Sequence, residues 1–481
     1  MAPERLSRRV FTAGAAVSVT GCDRLASIAA RWAGGGVPDS FSVPDTDAVD
    51  ADTHFLSRTS FGPRPGDRDE LRRVGRERWL DAQLSPGHLD DWACDLRVGW
   101  MDTAEVDAGL AFEFPPEQIE VELGRSTLLR AVYSKRQLLE VVTEVWTDHF
   151  HVAIGKGKCR HLRSPYDREV LRTHALGRFR DLCGAATTSA AMLVYLDGAG
   201  NALAAAPNEN HARELLELHT LGVGGGYTQR DVQEVARCLT GFVVEEGGAR
   251  PGSVTFARER HDDAQKTVLG HTVGPGGGAA DVERLLDILC DHPSTARRVA
   301  TRLARAFVAD DPPADLIDRA ASAYVASGGD IAAVVRKIVL DDAFFEHARA
   351  RIKRPFRLVA SSLRATGADT HARKDTLASL GRMGHAPFTW PTPDGYPERG
   401  DAWLATMLER FRFALGLAHG QLAGASVPLD DLRRAAGSDD AVVAHVLGRR
   451  PSPTERAALD GAADLPAKLA ITLASPGFQR F

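Results

Sequence analysis

The apolar positions of this chain recur mainly at steps of three and four. From Arg125 onward Leu128, Val132, Leu139, Val142, Val145, Trp146 and Phe150 follow a helical period. Thr228-Gln229-Arg230-Asp231 is a capping-box variant, and Val232, Val235, Ala236 and Leu239 follow it on one face. Asp291-His292-Pro293-Ser294-Thr295 opens another helix, which carries Val299, Leu303, Ala306 and Phe307. The pattern predicts further helices over 316–326, 331–346, 354–367, 401–419 and 466–474. Strand signals are few: Phe242-Val243-Val244 and Ser253-Val254-Thr255-Phe256 flank Gly247-Gly248 and read as one hairpin. Strands and helices do not alternate, which disfavours a doubly wound sheet. The expectation is a mainly α fold, one large multi-helix domain over 51–481 with at most a small β-hairpin. Residues 338–344 echo 471–478, but two copies of one helix end do not make a solenoid.

Composition narrows the class of molecule. The chain has 481 residues, 44% hydrophobic and 26% charged, which excludes global disorder or a coiled-coil rod. Its net charge of −5 argues against a sequence-independent nucleic-acid binder, which needs a basic surface. No apolar run is long enough to span a membrane. The N-terminus reads as an address instead. Ser7-Arg8-Arg9-Val10-Phe11 resembles a twin-arginine export motif, with a short apolar stretch after it, and Val19-Thr20-Gly21-Cys22 matches a lipobox. Residues 1–22 are therefore expected to be a signal, and 23–50 a flexible linker from a lipid on Cys22 to the folded body. That predicts an exported protein of the cell envelope, lipid-anchored outside the cytoplasmic membrane or released. The twin-arginine route carries folded, often cofactor-loaded proteins, which favours a bound metal or redox group. The other five cysteines form no CxxC pair, so neither a zinc ribbon nor a thioredoxin motif is present. Cys183, Cys238 and Cys290 lie among apolar residues and are expected buried and reduced.

Three clusters carry candidate chemistry. In Trp146-Thr147-Asp148-His149-Phe150-His151, His149 shares a helical face with Val142, Val145 and Trp146. A histidine there is either a core residue or a ligand facing an internal site. In the run 207–222, Asn208 caps a predicted helix of about four turns and Gly222 ends it. His219 then lies on the stripe of Ala212, Leu215 and Leu216, while Glu209, Arg213 and Glu217 line the opposite side beside Glu214. Those charges make either a solvated ion-pair ladder or an acidic wall able to hold a divalent cation or act as acid and base. The third cluster is His261-Asp262-Asp263 with Lys266, in a loop. Trp390-Pro391-Thr392-Pro393-Asp394-Gly395-Tyr396-Pro397 is a rigid segment, either a lid or a packed connection. HExxH, the GxSxG elbow, the Walker lysine loop, CxxCH and the Rossmann fingerprint are all absent.

Several segments resemble a large bacterial family known as domain of unknown function 1800. They are 54–62, 146–152, 208–222, 227–241, His261-Asp262, 292–296, 393–396 and 474–478. The string from Asn208 to Gly222 is the most specific of them. The resemblance implies export and a helical body. It also implies a genomic neighbour, an exported family similar to alkaline phosphatases and sulfatases, but no settled reaction. His149, Asn208, Glu209, Asn210, Arg213, Glu214, Glu217 and His219 match the family's motif, whereas His151 stands where Thr or Ser is common.

The leading expectation is an extracytoplasmic, metal-dependent enzyme, hydrolysis favoured over oxidation, with its site between the helices ending at His149 and His219. Both histidines would ligate a divalent metal ion. Glu209, Arg213, Glu214 and Glu217, with His261 and Asp262 from the rim, would supply the catalytic groups. The alternative is a non-catalytic, membrane-tethered helical module that docks a secreted partner enzyme of the phosphatase or sulfatase type.

Overall fold

The computed structural model describes residues 36–202, 207–245, 247–248 and 250–481. The expected signal and lipobox lie outside the described residues. Of the expected linker, residues 36–50 are described, and they lie against the body. Phe41 is buried, Arg68 donates to the Ser42 carbonyl, and Asp50 caps the first helix by accepting from the Thr53 amide.

Helices dominate the described residues. Those that position the site are α1 (Ala51–Thr59), α2 (Pro116–Tyr133), α3 (Gln137–His149), α4 (Glu209–Glu214), α5 (Gln229–Cys238), α6 (Ala280–Cys290), α7 (Pro293–Phe307), α8 (Ala314–Ala326), α9 (Ile331–Val339), α10 (Pro355–Ala365), α11 (Met407–Ala418) and α12 (Leu465–Ala474). One continuous apolar core runs through them, and Leu128, Val132, Val142, Trp146 and Phe150 all lie in it. Burying each such side chain contributes roughly 1.5–3 kcal/mol. The predicted capping box forms, with Thr228 accepting from the Asp231 amide and Asp231 accepting back from the Thr228 amide. The stretch 331–346 divides in two, because Leu340 ends α9 and Asp341 caps a short helix over Asp342–Glu346. The echo at the C-terminus repeats this device: α12 ends at Ser475, which caps Pro476–Gln479.

The expected hairpin is present as β1 (Phe242–Val244) against β2 (Val254–Phe256), with Phe242 opposite Phe256. Two more antiparallel pairs went unread in the sequence: β3 (Lys266–Val268) with β4 (His271–Val273), and β5 (Asp369–Thr370) with β6 (Ala425–Ser426). Their strands of two or three residues are too short to show an alternating pattern. Cys94, Cys159, Cys183, Cys238 and Cys290 are all buried free thiols. No helix among the described residues is long and apolar enough to cross a membrane.

α7 is the element on which the site depends. Val299, Ala300, Leu303, Ala304 and Phe307 bury one face, which packs on α8, α9 and α3. Its other face carries the arginines of Arg297-Arg298, Arg302 and Arg305.

Candidate functional site

The apolar stripe of α3 draws the helix inward, and Trp146 is fixed at its base by an indole N–H donated to the Ala175 carbonyl (2.8 Å). The helix ends at His149, whose ring sits edge-on to Trp146 and Phe150 at 5.5 and 4.7 Å between centroids. His149 Nε2 lies 2.9 Å from the backbone carbonyl of His219. A carbonyl only accepts, so Nε2 carries the proton and the basic lone pair is on Nδ1. Burial holds the His149 pKa well below the usual imidazole value, and the Arg302 and Arg298 guanidiniums push it further the same way. The ring is therefore a neutral imidazole.

The motif helix is shorter than the sequence suggested. α4 covers Glu209–Glu214, and Leu215–His219 then widens into a π turn. Such a turn inside an α-helix frequently marks a functional position. Leu215, Leu216 and His219 still face the core, as their spacing predicted. Both asparagines of the motif are structural ties. Asn208 caps α4 by accepting from the Asn210 amide (2.9 Å) and donates to the Asp197 carbonyl (2.9 Å); Asn210 donates to the Leu196 carbonyl (3.3 Å).

The structure brings His149 and His219 together, with ring centroids 6.2 Å apart. It does not make them a metal pair. His149 has the orienting bond of a ligand, through Nε2, but both ring nitrogens of His219 are buried with no hydrogen-bond partner. A ligating imidazole normally donates its second N–H to an orienting acceptor, and His219 has none. Burial lowers the His219 pKa to about 3, and that of His211, whose ring nitrogens are equally unpartnered, to about 4. Among the described residues, no group of three or more His, Cys, Asp or Glu side chains is placed to hold a metal ion. The residues present do not fit the expected divalent ion.

The remaining predicted residues divide. Glu209 pairs with Arg213 at 3.0 Å, and Gln229 on α5 bonds both, so these two form the solvated ladder. Burial, and then the Glu217 carboxylate, raise the Tyr227 pKa to about 12. Half-buried Glu214 has its pKa raised by burial, then by the Glu217 and Asp394 carboxylates. His261 and Asp262 are not at the rim; this corrects the expectation. His261 Nδ1 faces the Thr240 carbonyl (2.9 Å), and its Nε2 faces Asp281 on α6 (3.1 Å). Lys266 at the start of β3 reaches the same Asp281 oxygen (2.5 Å) and the Asp262 carbonyl, while Asp262 pairs with Arg237 on α5 (2.6 Å). Buried charges need partners at contact distance, and this knot supplies them by tying α5, β3 and α6 together.

The segment 390–397 is a packed connection whose far side forms a wall. His151 Nε2 lies 2.8 Å from the Trp390 carbonyl, and Tyr195 donates to the Pro391 carbonyl (3.0 Å). Gly395, at φ +73°, lies so close to α3 that a Cβ there would be 2.3 Å from the Asp148 carbonyl oxygen. Asp148 itself is paired with Arg354 (2.5 Å).

Between this segment, the turn at 222–225 and the arginine face of α7 lies a cleft of about 830 Å³, with His149 in its wall. Its size is within the range of small-molecule sites. Arg297 and Arg399 at the rim pair with Asp318 and with Asp311, respectively. Inside, Arg302 and Arg305 share the carboxylate of Glu398, at 3.4 Å for Arg305. Arg298 donates through Nε to the Leu218 carbonyl (2.8 Å). Its Nη1 lies 3.2 Å from where a Cβ on Gly222 would stand, and the φ of +87° at Gly222 is the conformation that favours glycine there. Sequence reasoning missed these arginines. The signal was present, since 298, 302 and 305 repeat at i, i+4 and i+7, but such a pattern usually marks a solvated face.

No curated protein matches this chain, and no solved structure does. One family does match, described as "Protein of unknown function (DUF1800)", and it covers residues 54–480. The segments that carried the resemblance, the fold and nearly the whole chain after the N-terminal stretch fall within that match, and the chain belongs to the DUF1800 family.

Proposed function

We propose that the cleft beside His149 is the working site of an exported enzyme, tethered through Cys22, and that its reaction is hydrolysis rather than oxidation. The supporting observation is the state of His149: a neutral imidazole, oriented through Nε2–H by the His219 carbonyl, in the wall of a cleft of about 830 Å³. An imidazole oriented through one nitrogen is a general base through the other. Water would give a proton to Nδ1 as its oxygen adds to the electrophilic centre of a bound ester. The ester bond to the leaving oxygen then breaks, and the imidazolium returns the proton to that oxygen. No divalent ion enters this reading, because the donor set around His149 and His219 does not suit one.

The test is a panel of chromogenic carboxylate, phosphate and sulfate esters assayed with the purified chain and with His149→Gln. Expected is turnover of at least one class, reduced at least a hundredfold in the variant with its thermal midpoint kept within a few degrees. Turnover surviving in a well-folded His149→Gln would remove His149 as the base.

A second reading has its own support. Leu404, Leu408, Phe411 and Leu415, spaced by helical turns along α11 and the turn before it, are 51%, 64%, 46% and 41% exposed. An exposed apolar stripe marks a docking face, which suits a tethered module that binds a secreted phosphatase- or sulfatase-like partner. That reading predicts that Leu408→Glu abolishes partner capture while His149→Gln leaves it intact.

A further inference from the structure

We propose that Arg298, Arg302 and Arg305 form a seat for a tetrahedral oxyanion ester group, phosphate or sulfate, and that Glu398 occupies part of that seat until the ligand displaces it. The inference takes its location from the proposed site and adds the substrate class; it does not depend on the hydrolytic step.

Of the carboxylates lining the cleft, Asp394, Glu398 and Asp401, only Glu398 pairs with any of these three cations. Arg302 and Arg305 both turn to Glu398, and no carboxylate among the described residues pairs with Arg298. The rim arginines draw on other carboxylates: Arg297 on Asp318, and Arg399 on Asp311 and Asp401. Arg298 is thus left without a carboxylate in contact, while Arg302 and Arg305 divide one between them. Arg302 is also poorly solvated, its side chain being 15% exposed. Burial and the neighbouring Arg354, Arg298 and Arg305 lower its pKa to about 9 even against the raising effect of Asp148, and burial with Arg305 lowers that of Arg298 as well. Guanidiniums remain charged in proteins, so these shifts register an unfavourable field that an incoming anion would relieve.

The geometry selects the ligand. Positions 298, 302 and 305 span about 10 Å of helix rise on a single face, and the long side chains project into one cleft. A carboxylate has two oxygens and one charge; Glu398 shows that such a group serves Arg302 and Arg305 and leaves Arg298 over. A phosphate or sulfate ester offers three free oxygens, enough for a charge-assisted bond to each guanidinium. Arg298 is pre-set for this role by its Nε bond to Leu218 and by the space that Gly222 leaves. The anion would also offset the guanidinium charges that depress His149, making the imidazole more basic only when substrate is bound.

The test is titration calorimetry of the full chain at pH 7.5 and constant ionic strength, with methyl phosphate, methyl sulfate and acetate as probes. Expected is saturable one-to-one binding of at least one of the two esters, with acetate at least tenfold weaker. Arg298→Gln should weaken the ester at least tenfold, and Glu398→Gln should tighten it at least threefold by removing the competing carboxylate. Tighter binding of doubly charged methyl phosphate identifies a phosphate seat; equal or tighter binding of methyl sulfate identifies a sulfate seat. If Arg298→Gln fails to fold, Arg305→Gln replaces it, because that side chain is 43% exposed and its carboxylate partner is Glu398. Acetate binding as tightly as the esters, or ester binding unchanged in a folded arginine variant, overturns the proposal. Ester binding with the full pattern but no turnover of any panel substrate removes the hydrolase and leaves the seat standing.

Discussion

Asp281→Asn decides whether the His261 loop is machinery or a structural lock. Asp281 is 2% exposed, and its Oδ2 lies 2.5 Å from Lys266 Nζ and 3.1 Å from His261 Nε2. At an effective dielectric of about 20, a unit charge pair at 2.5 Å gives about 6–7 kcal/mol of gross attraction. An asparagine keeps the shape and an oxygen acceptor but removes the charge, leaving the Lys266 ammonium buried with only carbonyl and amide dipoles. Removing one partner of a buried pair costs about 3–5 kcal/mol, and that is the loss expected here. For the roughly 430-residue body, unfolding entropy of about 2.1 cal/mol/K per residue converts this to a fall of about 3–6 °C in Tm. Chemical denaturation gives the free energy and a thermal scan the shift, while calorimetry with methyl phosphate reports on the cleft. The reasoning fails if stability changes by less than about 1 kcal/mol. It also fails if ester binding is lost while stability is kept, because His261 and its neighbours would then belong to the site.

Other outcomes follow from the same geometry. His219→Leu should leave Tm unchanged or raise it, since both ring nitrogens lack partners and the carbonyl that orients His149 belongs to the backbone; loss of activity in a stable His219→Leu would restore the ring to the site. Gly395→Ala should cost more than about 2 kcal/mol, because the new methyl meets the Asp148 carbonyl at 2.3 Å in a left-handed conformation; a Tm equal to the parent's would refute that packing. Acid should destabilise the fold early. His54 and His211 are lowered to about 4, and His219, His385 and His445 to about 3, all with burial as the largest cause. Between those values and about 6.5 the unfolded chain binds protons that the native one refuses, so stability is full above pH 6.5 and falls as pH drops below it. Each site contributes up to about 1.4 kcal/mol per pH unit, and Tm should hold from pH 7.5 to about 6.5 and fall continuously from there to pH 5; a profile flat down to pH 5 would contradict the buried neutral state.

The inward residues were legible because helical period records which side of a helix is apolar. Val142, Trp146, His149, Leu215, Leu216 and His219 are all buried, as their spacing required. The Thr228 capping box and the β1–β2 hairpin were legible for the same local reason, each being written within a few residues. What the chain's pattern could not carry is which inward faces meet, and on what terms. His149 and His219 do meet, yet through an imidazole and a backbone carbonyl, a pairing that no side-chain spacing encodes. The π turn also escaped, because the sequence 215–219 is ordinary for a helix and the widening shows only in the fold.

The linear sequence by itself determined the class of fold, the identity of the apolar stripes and the membership of the family. Only tertiary packing decided the chemistry of the cleft. Arg298, Arg302 and Arg305 would be an ordinary solvated face on an isolated helix; the 390–397 segment and the end of α3 wall them into a cleft where Glu398 pairs with two of them and Arg298 has only a backbone carbonyl. The same packing took His261 the other way, burying it against Asp281 and Lys266 where a loop at the rim of the site was expected. Charge is local in sequence, but its energy depends on how much water remains around it, and that depends on residues hundreds of positions away.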